Sequence, residues 1–358
     1  MTSNNGSTLT AECDLFDNCT TGMNFYANTS GNSTADGPGR GGAGSLLPFA
    51  IAQPFLWFFM FISNLAVLLV YRRSLGFKTL TNYFVYNIAA ADLCMSFNML
   101  VQMVFFLWPV LSTSMSLCML RLELMSFFTT VSLLSGFFAT IDRFMVIVVH
   151  RHYHSVMSVR NVKLMIAVAW LYSFCFAAIP FFNNNWDTVG RCEFVTVVPA
   201  WYIVYGSSQN VVSTVVEIIL YVAIFHVANR RRRVFKRELT LSSNGAGSGV
   251  TARVPKEQQS LRGAKFMGIV LIAYSLCWTP FAVLGYIQIY CYHPTLTMVR
   301  MVTVYLGISN SLLNPIIYAW QKREFREGLK RLLGRHTTTG RVHPEGSTRR
   351  TSLTDRHS

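Results

Sequence analysis

The chain has 358 residues, of which 52% are hydrophobic and only 13% are charged. An average soluble domain carries about 25% charged residues, so this composition argues against a soluble fold. The net charge of +15 would indicate nucleic-acid binding only if the basic residues shared one face, but they are grouped in particular loops, and we predict no nucleic-acid partner.

The first 45 residues are polar and rich in Gly, Asn, Ser and Thr. Asn-x-Ser/Thr triplets are the acceptor sequence for N-glycosylation of exported segments. They occur here at Asn5, Asn18, Asn28 and Asn32. We therefore predict that residues 1–45 form a disordered, glycosylated extracellular segment.

Mainly apolar runs follow, each near or above the roughly 20 residues that a helix needs to cross a bilayer. The seven runs cover residues 48–71, 82–107, 117–149, 164–182, 200–228, 266–290 and 298–319. Lys and Arg are concentrated after the first, third, fifth and seventh runs, a bias that marks the cytoplasmic side. We predict an all-α, multi-pass protein of the plasma membrane, with a seven-helix bundle over residues 46–320 and the N terminus outside.

Cysteines on the outer side of this bundle can form disulfides, because that compartment is oxidising. They are Cys13, Cys19, Cys118, Cys192 and Cys291. Cys118 opens the third run and Cys192 lies between the fourth and fifth, so we favour a bridge that holds this loop across the outer mouth of the bundle. The pairing of the other three stays open, because sequence alone does not give connectivity.

Polar side chains at mid-depth in a membrane are costly and require an explanation. Several small oxygen-bearing residues share this depth: Asn64, Asp92, Ser132, Asn310, Ser311 and Asn314. A lone buried carboxylate tends to take up a proton, but hydroxyl and amide oxygens around Asp92 would suit a hydrated monovalent cation such as sodium. The alternative is a hydrogen-bond network that joins the helices. We expect no other metal and no other cofactor.

Asp142 and Arg143 stand together at the inner end of the third run. An adjacent acid and base can form a releasable ion pair there, although a helix end whose long side chains reach water has the same sequence. Pro280 and Pro315 lie inside the sixth and seventh runs, where proline kinks a helix. A kink beside a large aromatic residue such as Trp278 can convert a small outer displacement into a swing at the inner end.

Together these residues resemble those of the rhodopsin-like (class A) G-protein-coupled receptors, over about residues 50–333. The resemblance rests on Asn64, Ala89-Ala90-Ala91-Asp92-Leu93, Cys118, Asp142-Arg143, Trp170, Tyr221, Cys277-Trp278-Thr279-Pro280 and Asn314-Pro315-Ile316-Ile317-Tyr318. Within the family the chain is similar to the adenosine, cannabinoid and lysophospholipid receptors and to the glucose-dependent insulinotropic receptor.

The resemblance implies an activation mechanism. Trp278 would read ligand binding, the cation site at Asp92 would collapse, and the sixth helix would move outward. Arg143 with Tyr221 and Tyr318 would then form the face that a heterotrimeric G protein enters.

Residues 321–334 carry apolar side chains on one face and basic ones on the other. They resemble the family's short eighth helix, which lies on the inner leaflet. Residues 335–358 are predicted to be a cytoplasmic tail, with hydroxyls beside basic residues at 337–339 and 349–352. We expect receptor kinases to phosphorylate the tail and arrestin to bind it.

The outer half of the bundle is predicted to be an apolar, aromatic pocket with a few polar groups, which suits a small amphiphile. Its predicted ligand contacts are Arg121, Met125, Phe128, Thr129, Tyr205, Gln209, Trp278, Phe281 and Gln288. Met125 stands where amine receptors carry an anchoring acid, so the resemblance disfavours a monoamine. Arg121 would meet an anionic or amide head group, unless it pairs with Glu123 or Glu193 and only shapes the entrance.

We therefore predict a receptor, and not an enzyme, that transduces an extracellular ligand to a G protein; the ligand we favour is a small amphiphilic lipid. A nucleoside or a short peptide is the alternative. Phe144 and Ser213 depart from the family at switch positions, which is compatible with ligand-independent signalling. A transporter is a remote alternative, because internal repeats typical of transporters are not evident.

Overall fold

The computed structural model of the chain describes residues 41–76, 79–242, 254–290 and 294–334. Within these ranges the long helices are α1 (Gly41–Val70), α2 (Leu80–Leu107), α3 (Met115–Ile147), α4 (Val159–Phe182), α5 (Ala200–Ser242), α6 (Val254–Tyr290) and α7 (Pro294–Gln321), followed by the short α8 (Arg323–Leu332). The predicted glycosylation sites, the tail from residue 335 and Cys13, Cys19 and Cys291 lie outside the described residues.

Single helical turns occupy several of the connections. They are Tyr71–Leu75, Pro109–Thr113, His150–His152, Tyr153–Val156, Trp186–Val189 and Phe194–Val197. No strand occurs among the residues that the structure describes, so the predicted all-α bundle with an eighth helix is confirmed. The first long helix, α1, starts at Gly41.

Two helices extend well beyond the predicted apolar runs. α5 has 43 residues, and at about 1.5 Å per residue it is about twice as long as the hydrocarbon core of a bilayer is thick. Its inner part carries the basic residues 230–233, while α6 starts at Val254, before the apolar run. The run of apolar residues ends where a helix leaves the membrane. The helical backbone can continue into water, so the helix is longer than its apolar run.

Six helical segments in the described part of the chain are long and apolar enough to cross a membrane. They are Ile51–Ser74, Leu80–Leu107, Met115–Ile147, Val159–Phe182, Ala200–Val234 and Gly268–Tyr290. α7 is less apolar, since it carries Arg300 and the polar residues Asn310, Ser311 and Asn314. The predicted seventh span is thus present as a helix. Its polar side chains Asn310, Ser311 and Asn314 are buried inside the bundle.

The bundle is apolar outside and partly polar inside. Leu171, Ile219 and Leu276 are 65%, 62% and 69% exposed, whereas Asn64 and Asp92 are 0% and 1% exposed. A soluble protein would bury such large aliphatic side chains, because exposing them to water is unfavourable. Hydrocarbon removes that cost, and so this distribution of side chains fits a multi-pass membrane protein.

α8 is anchored to the inner ends of α1 and α7. The buried Phe325 ring lies 6.5 Å from the ring of Tyr71 and 6.4 Å from that of Tyr318, measured between centroids. A Cβ added at Gly328 would lie 2.7 Å from Val70 Cγ1, so glycine permits this close approach. Arg326 donates hydrogen bonds to two carbonyls at the end of α7, and α8 is therefore fixed relative to the bundle.

Candidate functional site

A disulfide closes the outer end of the bundle. Cys118 on α3 is bonded to Cys192 in the loop between α4 and α5, with 5.6 Å between their Cα atoms. The bond confirms the predicted pairing. It also places the loop residues Glu193, Phe194 and Val195 at the mouth of a cavity that opens between the helices.

That cavity has a volume of about 350 Å³ and is mostly apolar. Seven of the predicted ligand contacts line it: Arg121, Met125, Thr129, Gln209, Trp278, Phe281 and Gln288. Sequence reasoning missed further polar side chains in its wall, among them Gln53, Ser207, Asn210, Arg300 and Tyr305. A mostly apolar cavity with a few convergent polar groups has the form of a small-molecule site.

Two predicted contacts lie outside the cavity, and these predictions are corrected. Phe128 packs beside the cluster formed by Met60, Met95 and neighbouring residues, towards α1 and α2. Tyr205 is 49% exposed on the surface of the bundle, and its hydroxyl lies 2.9 Å from that of Tyr172. A helix turns by about 100° per residue, so neighbours of true contacts can face away from the cavity.

Arg121 is held by neutral partners. Its Nε donates to Gln102 Oε1 at 2.8 Å, and its guanidinium lies 5.5 Å from the centre of the Phe105 ring. Glu123 does not pair with Arg121; it is buried and accepts a hydrogen bond from the Tyr202 hydroxyl at 2.6 Å. Among the ion pairs of the described residues none includes Arg121, so its charge is available to the cavity.

Arg300 is a second cation in the same cavity wall. Its guanidinium lies 4.4 Å from the centre of the Phe194 ring and 5.1 Å from that of Phe281, and it donates to Gln288 Oε1 at 3.0 Å. Its inward placement depends on how α7 packs against α6. The only available sequence signal was an arginine within the outer turns of an apolar run.

Asp92 lies at the centre of a buried polar group. Its two carboxylate oxygens accept hydrogen bonds from Ser311 Oγ at 2.7 Å and from Asn314 Nδ2 at 2.8 Å. Asn64 donates to the carbonyl of Ser311 at 3.0 Å and so joins α1 to α7. These four residues thus form a hydrogen-bond network between helices, which was the alternative to a cation site. Ser132 and Asn310, the other predicted members, line a small cavity next to Asn314.

Trp278 forms part of the floor of the outer cavity and is buried. Its ring lies edge-on to Phe281, with centroids 5.9 Å apart. A Cβ added at Gly307 on α7 would lie 2.7 Å from Trp278 Cε3. The absence of a side chain there lets α7 approach the indole, so a ligand that displaced Trp278 would press on α6 and α7 together.

The inner end of α3 carries a buried ion pair. Arg143 Nη2 lies 2.6 Å from Asp142 Oδ2, and Asp142 also accepts hydrogen bonds from Thr81 at 2.9 Å and from Tyr153 at 3.2 Å. Burial, together with the neighbouring Asp142 carboxylate, raises the pKa of Tyr153 to about 12, so its hydroxyl keeps its proton at neutral pH. Two helices and a loop therefore hold Asp142 in place.

The two predicted inner tyrosines pack against α6 and α8. A Cβ added at Gly268 on α6 would overlap the Tyr221 ring, so that ring lies directly against the α6 backbone. Tyr318 is buried and packs against Phe325 of α8. In this arrangement Arg143 is bonded to Asp142.

Comparison with known proteins identifies similar sequences. The model of the 7 transmembrane receptor (rhodopsin family) matches residues 63–318. Adenosine receptor A3 of Bos taurus is 27% identical over 280 residues, 74% of this chain and 83% of that receptor. Octopamine receptor beta-2R of Chilo suppressalis is 28% identical over 312 residues, 76% of each chain. Adenosine receptor A2a of Homo sapiens is 26% identical over 285 residues, 72% of this chain and 65% of that receptor.

Proposed function

The chain belongs to the rhodopsin family of seven-transmembrane receptors, and we propose that its outer cavity binds a small amphiphile with an anionic or strongly polar head group. As a member of this family it is a G-protein-coupled receptor, a multi-pass membrane protein and not an enzyme. The ligand class is the part that we propose.

The observation that carries the proposal is the pair of arginines in one apolar cavity. Arg121 and Arg300 both line it, and each donates a hydrogen bond to a neutral glutamine, Gln102 or Gln288. Arg300 also interacts electrostatically with Glu193 at the mouth of the cavity. A guanidinium is well suited to carboxylate or phosphate oxygens, because it presents several donors in one plane. An apolar tail would then lie against Met125, Phe281 and Trp278 in the rest of the cavity.

A nucleoside is the second candidate, because two of the similar proteins are named adenosine receptors. The amide side chains of Gln209 and Asn210 in the cavity wall could bond a purine base. An amine such as octopamine is less suited to this cavity. Met125 lies in its wall, and Glu193 at the mouth is its one acidic lining residue among the described residues.

Arginine replacement tests the ligand class. We expect Arg121→Ala and Arg300→Ala each to lower the potency of an anionic lysophospholipid by about 10- to 100-fold, because a hydrogen bond to a charged group contributes about 1.5–3 kcal/mol. The measurement is a second-messenger response in cells given lysophosphatidylinositol, oleoylethanolamide, adenosine or octopamine.

Arg191→Ala is the matched control, since Arg191 is an outer arginine whose side chain is 68% exposed. It should leave potency unchanged. Unchanged potency of every active lipid in both cavity variants would contradict the head-group role. A response to adenosine alone that survives both replacements would favour the nucleoside.

We propose that the chain lies in the plasma membrane. Its basic inner surface would face the cytoplasm and its N terminus the outside of the cell. The long inner part of α5, with basic residues at 230–233, supports this orientation, because Lys and Arg favour the cytoplasmic side. On activation, release of Arg143 from Asp142 and outward movement of α6 would open a cavity for the G protein.

We further propose that receptor kinases phosphorylate the tail and that arrestin then binds it. The support is sequence alone: residues 337–339 and 349–352 hold hydroxyls beside basic residues, in a region outside the described structure. Replacing these hydroxyl residues with alanine should strongly reduce ligand-dependent arrestin recruitment and leave the second-messenger response intact. Recruitment equal to that of the unmodified chain would contradict this proposal.

A further inference from the structure

The α4/α5 seam, formed by Tyr172, Phe176, Tyr205, Gly206 and Gln209, holds polar groups that the mechanism above does not use. The Tyr172 hydroxyl donates a hydrogen bond to Gln209 Oε1 at 2.7 Å and lies 2.9 Å from the Tyr205 hydroxyl. Tyr205 is half exposed on the surface of the bundle, whereas Gln209 also lines the outer cavity. A chain of polar groups therefore runs from the surface to the ligand cavity.

The outer member of this chain lies below the level of the lipid head groups. α5 begins at Ala200, and the adjacent Trp201 is half exposed, as is usual for tryptophan at a membrane interface. At about 1.5 Å per residue, Tyr205 lies about 6 Å and Gln209 about 12 Å further along α5. A tyrosine that only anchored the helix would direct its hydroxyl to the head groups, but Tyr205 directs it to Tyr172 on α4. Polar groups at this depth are costly and require another explanation.

Side chains, and not closely packed backbones, separate the cavity from lipid at this seam. Within the described helices α4 packs mainly on α2 and α3, and α5 on α3 and α6. The Phe176 ring lies 4.4 Å from the ring of Tyr202 and 5.7 Å from that of Tyr205, measured between centroids. Gly206 faces the same ring, and a Cβ added there would lie 3.4 Å from Phe176 Cζ. Exposed side chains change rotamer within nanoseconds, so rotation of Tyr205 would thin this wall without moving a helix.

The route from water is less suited to an anionic amphiphile. The loop held by the disulfide lies at the mouth of the cavity, with Glu193 and Phe194 in the cavity lining. Arg300 holds Phe194 there, with its guanidinium 4.4 Å from the ring centre. The negative charge of Glu193 would repel an anionic head group that approached from outside. An amphiphile also dissolves in the membrane, where its apolar tail avoids water.

We propose that the α4/α5 seam is a lateral portal through which an amphiphile dissolved in the outer leaflet enters the outer cavity. This inference rests on the proposed function, since only a ligand that dissolves in the membrane can use such a route. The hydroxyls of Tyr172 and Tyr205 and the amide of Gln209 offer hydrogen bonds to the passing head group, which lowers the cost of moving it through apolar surroundings. The rings of Phe176 and Tyr202 would contact the tail.

The test compares binding rates, because a barrier shared by entry and exit changes both rates by the same factor and leaves the affinity unchanged. The full-length chain is reconstituted in lipid nanodiscs, and association and release of tritiated lysophosphatidylinositol are measured against empty nanodiscs. In Tyr205→Cys, labelling with pyrenylmaleimide places a bulky group in the seam. We expect association and release both to slow roughly tenfold, with the dissociation constant unchanged.

Val212→Cys with the same label is the matched control, since Val212 is 60% exposed on α5. It lies about 10 Å further along the helix than Tyr205 and therefore outside the seam. This variant should bind the probe at the rates of the unmodified chain, which is also treated with the reagent to include the effect of its native cysteines. Equal slowing at both positions would mean that the label acts on the helix or the bilayer in general, and would overturn the proposal.

Tyr172→Phe is a second variant, which removes only the hydroxyl that joins Tyr205 to Gln209. Loss of these bonds should loosen the seam and speed both association and release about fivefold, the factor that corresponds to one hydrogen bond. Tyr290→Phe alters an exposed tyrosine at the outer end of α6 and should change neither rate. Unchanged rates in Tyr172→Phe would contradict the role of the hydroxyl chain as the closure of the portal.

The outcomes separate this inference from the proposed function. Suppose that the unmodified chain binds lysophosphatidylinositol and that labelled Tyr205→Cys binds it at the same rates. The ligand then enters from water, and the portal is overturned while the proposed function stands. A changed dissociation constant with only one rate altered would make Tyr205 a structural residue and would overturn the portal as well. If neither lysophosphatidylinositol nor oleoylethanolamide binds the unmodified chain, the proposed function fails and the portal fails with it.

Discussion

Replacement of Cys118 or Cys192 by serine is expected to abolish the ligand response and to lower the free energy of unfolding by about 4 kcal/mol. The stability loss follows from the sequence separation of 74 residues that the disulfide bridges, because releasing it increases the entropy of the unfolded chain. The loss of response follows from the position of Phe194 and Val195, which line the cavity next to the bridged Cys192. Without the bond we expect the loop to leave this position. Ligand-dependent second-messenger formation and thermal unfolding measure the two effects.

Cys175→Ser is the matched control, because Cys175 is an exposed, unpaired cysteine on α4. It should leave both the response and the unfolding temperature close to those of the unmodified chain. Normal potency in the Cys118→Ser variant would mean that the loop keeps its position without the bond. That result would contradict the role we give the disulfide in ligand binding.

Asp142→Asn is expected to raise signalling without ligand several-fold and to lower the free energy of unfolding by about 3 kcal/mol or more. Removing one partner of a buried ion pair leaves the other charge uncompensated. Arg143 is only 14% exposed in its side chain and would lose its anionic partner, while the bonds from Thr81 and Tyr153 would weaken. Release of Arg143 is the step that the proposed activation mechanism requires.

Basal second-messenger formation at equal surface expression measures this effect. Asp187→Asn is the control, since Asp187 is an exposed acid in the loop between α4 and α5, far along the chain from the inner ion pair. If basal signalling of Asp142→Asn equalled that of the control, the ion pair would be a structural contact and not a restraint on activation.

Much of the bundle could be read from sequence because a membrane imposes a strict rule on it. Every span needs a long apolar run, and every polar residue within such a run stands out. Asp92, Ser311 and Asn314 were recognised in this way, and the structure joins them by hydrogen bonds. Asp142 and Arg143 stand out in the same way at the end of an apolar run, and the structure pairs them.

The direction in which each side chain faces is harder to predict from the sequence. Phe128 and Tyr205 were expected in the cavity because both are aromatic and lie at the right depth, yet one packs between helices and the other faces outward. Depth follows from position along a run, whereas direction depends on how each helix is rotated about its axis. That rotation is set by packing with neighbouring helices.

The sequence by itself determined the class of protein, the seven helices and the polar residues of the interior, since each leaves a local mark against an apolar background. It favoured the outer disulfide, whose pairing the structure then confirmed. Only the tertiary structure decided that Arg300 joins Arg121 in one cavity, and that Glu217 meets Asn310 and Asn314 in another. These residues come from different helices. Their meeting depends on helix rotation and close approach, which no single segment of the chain encodes.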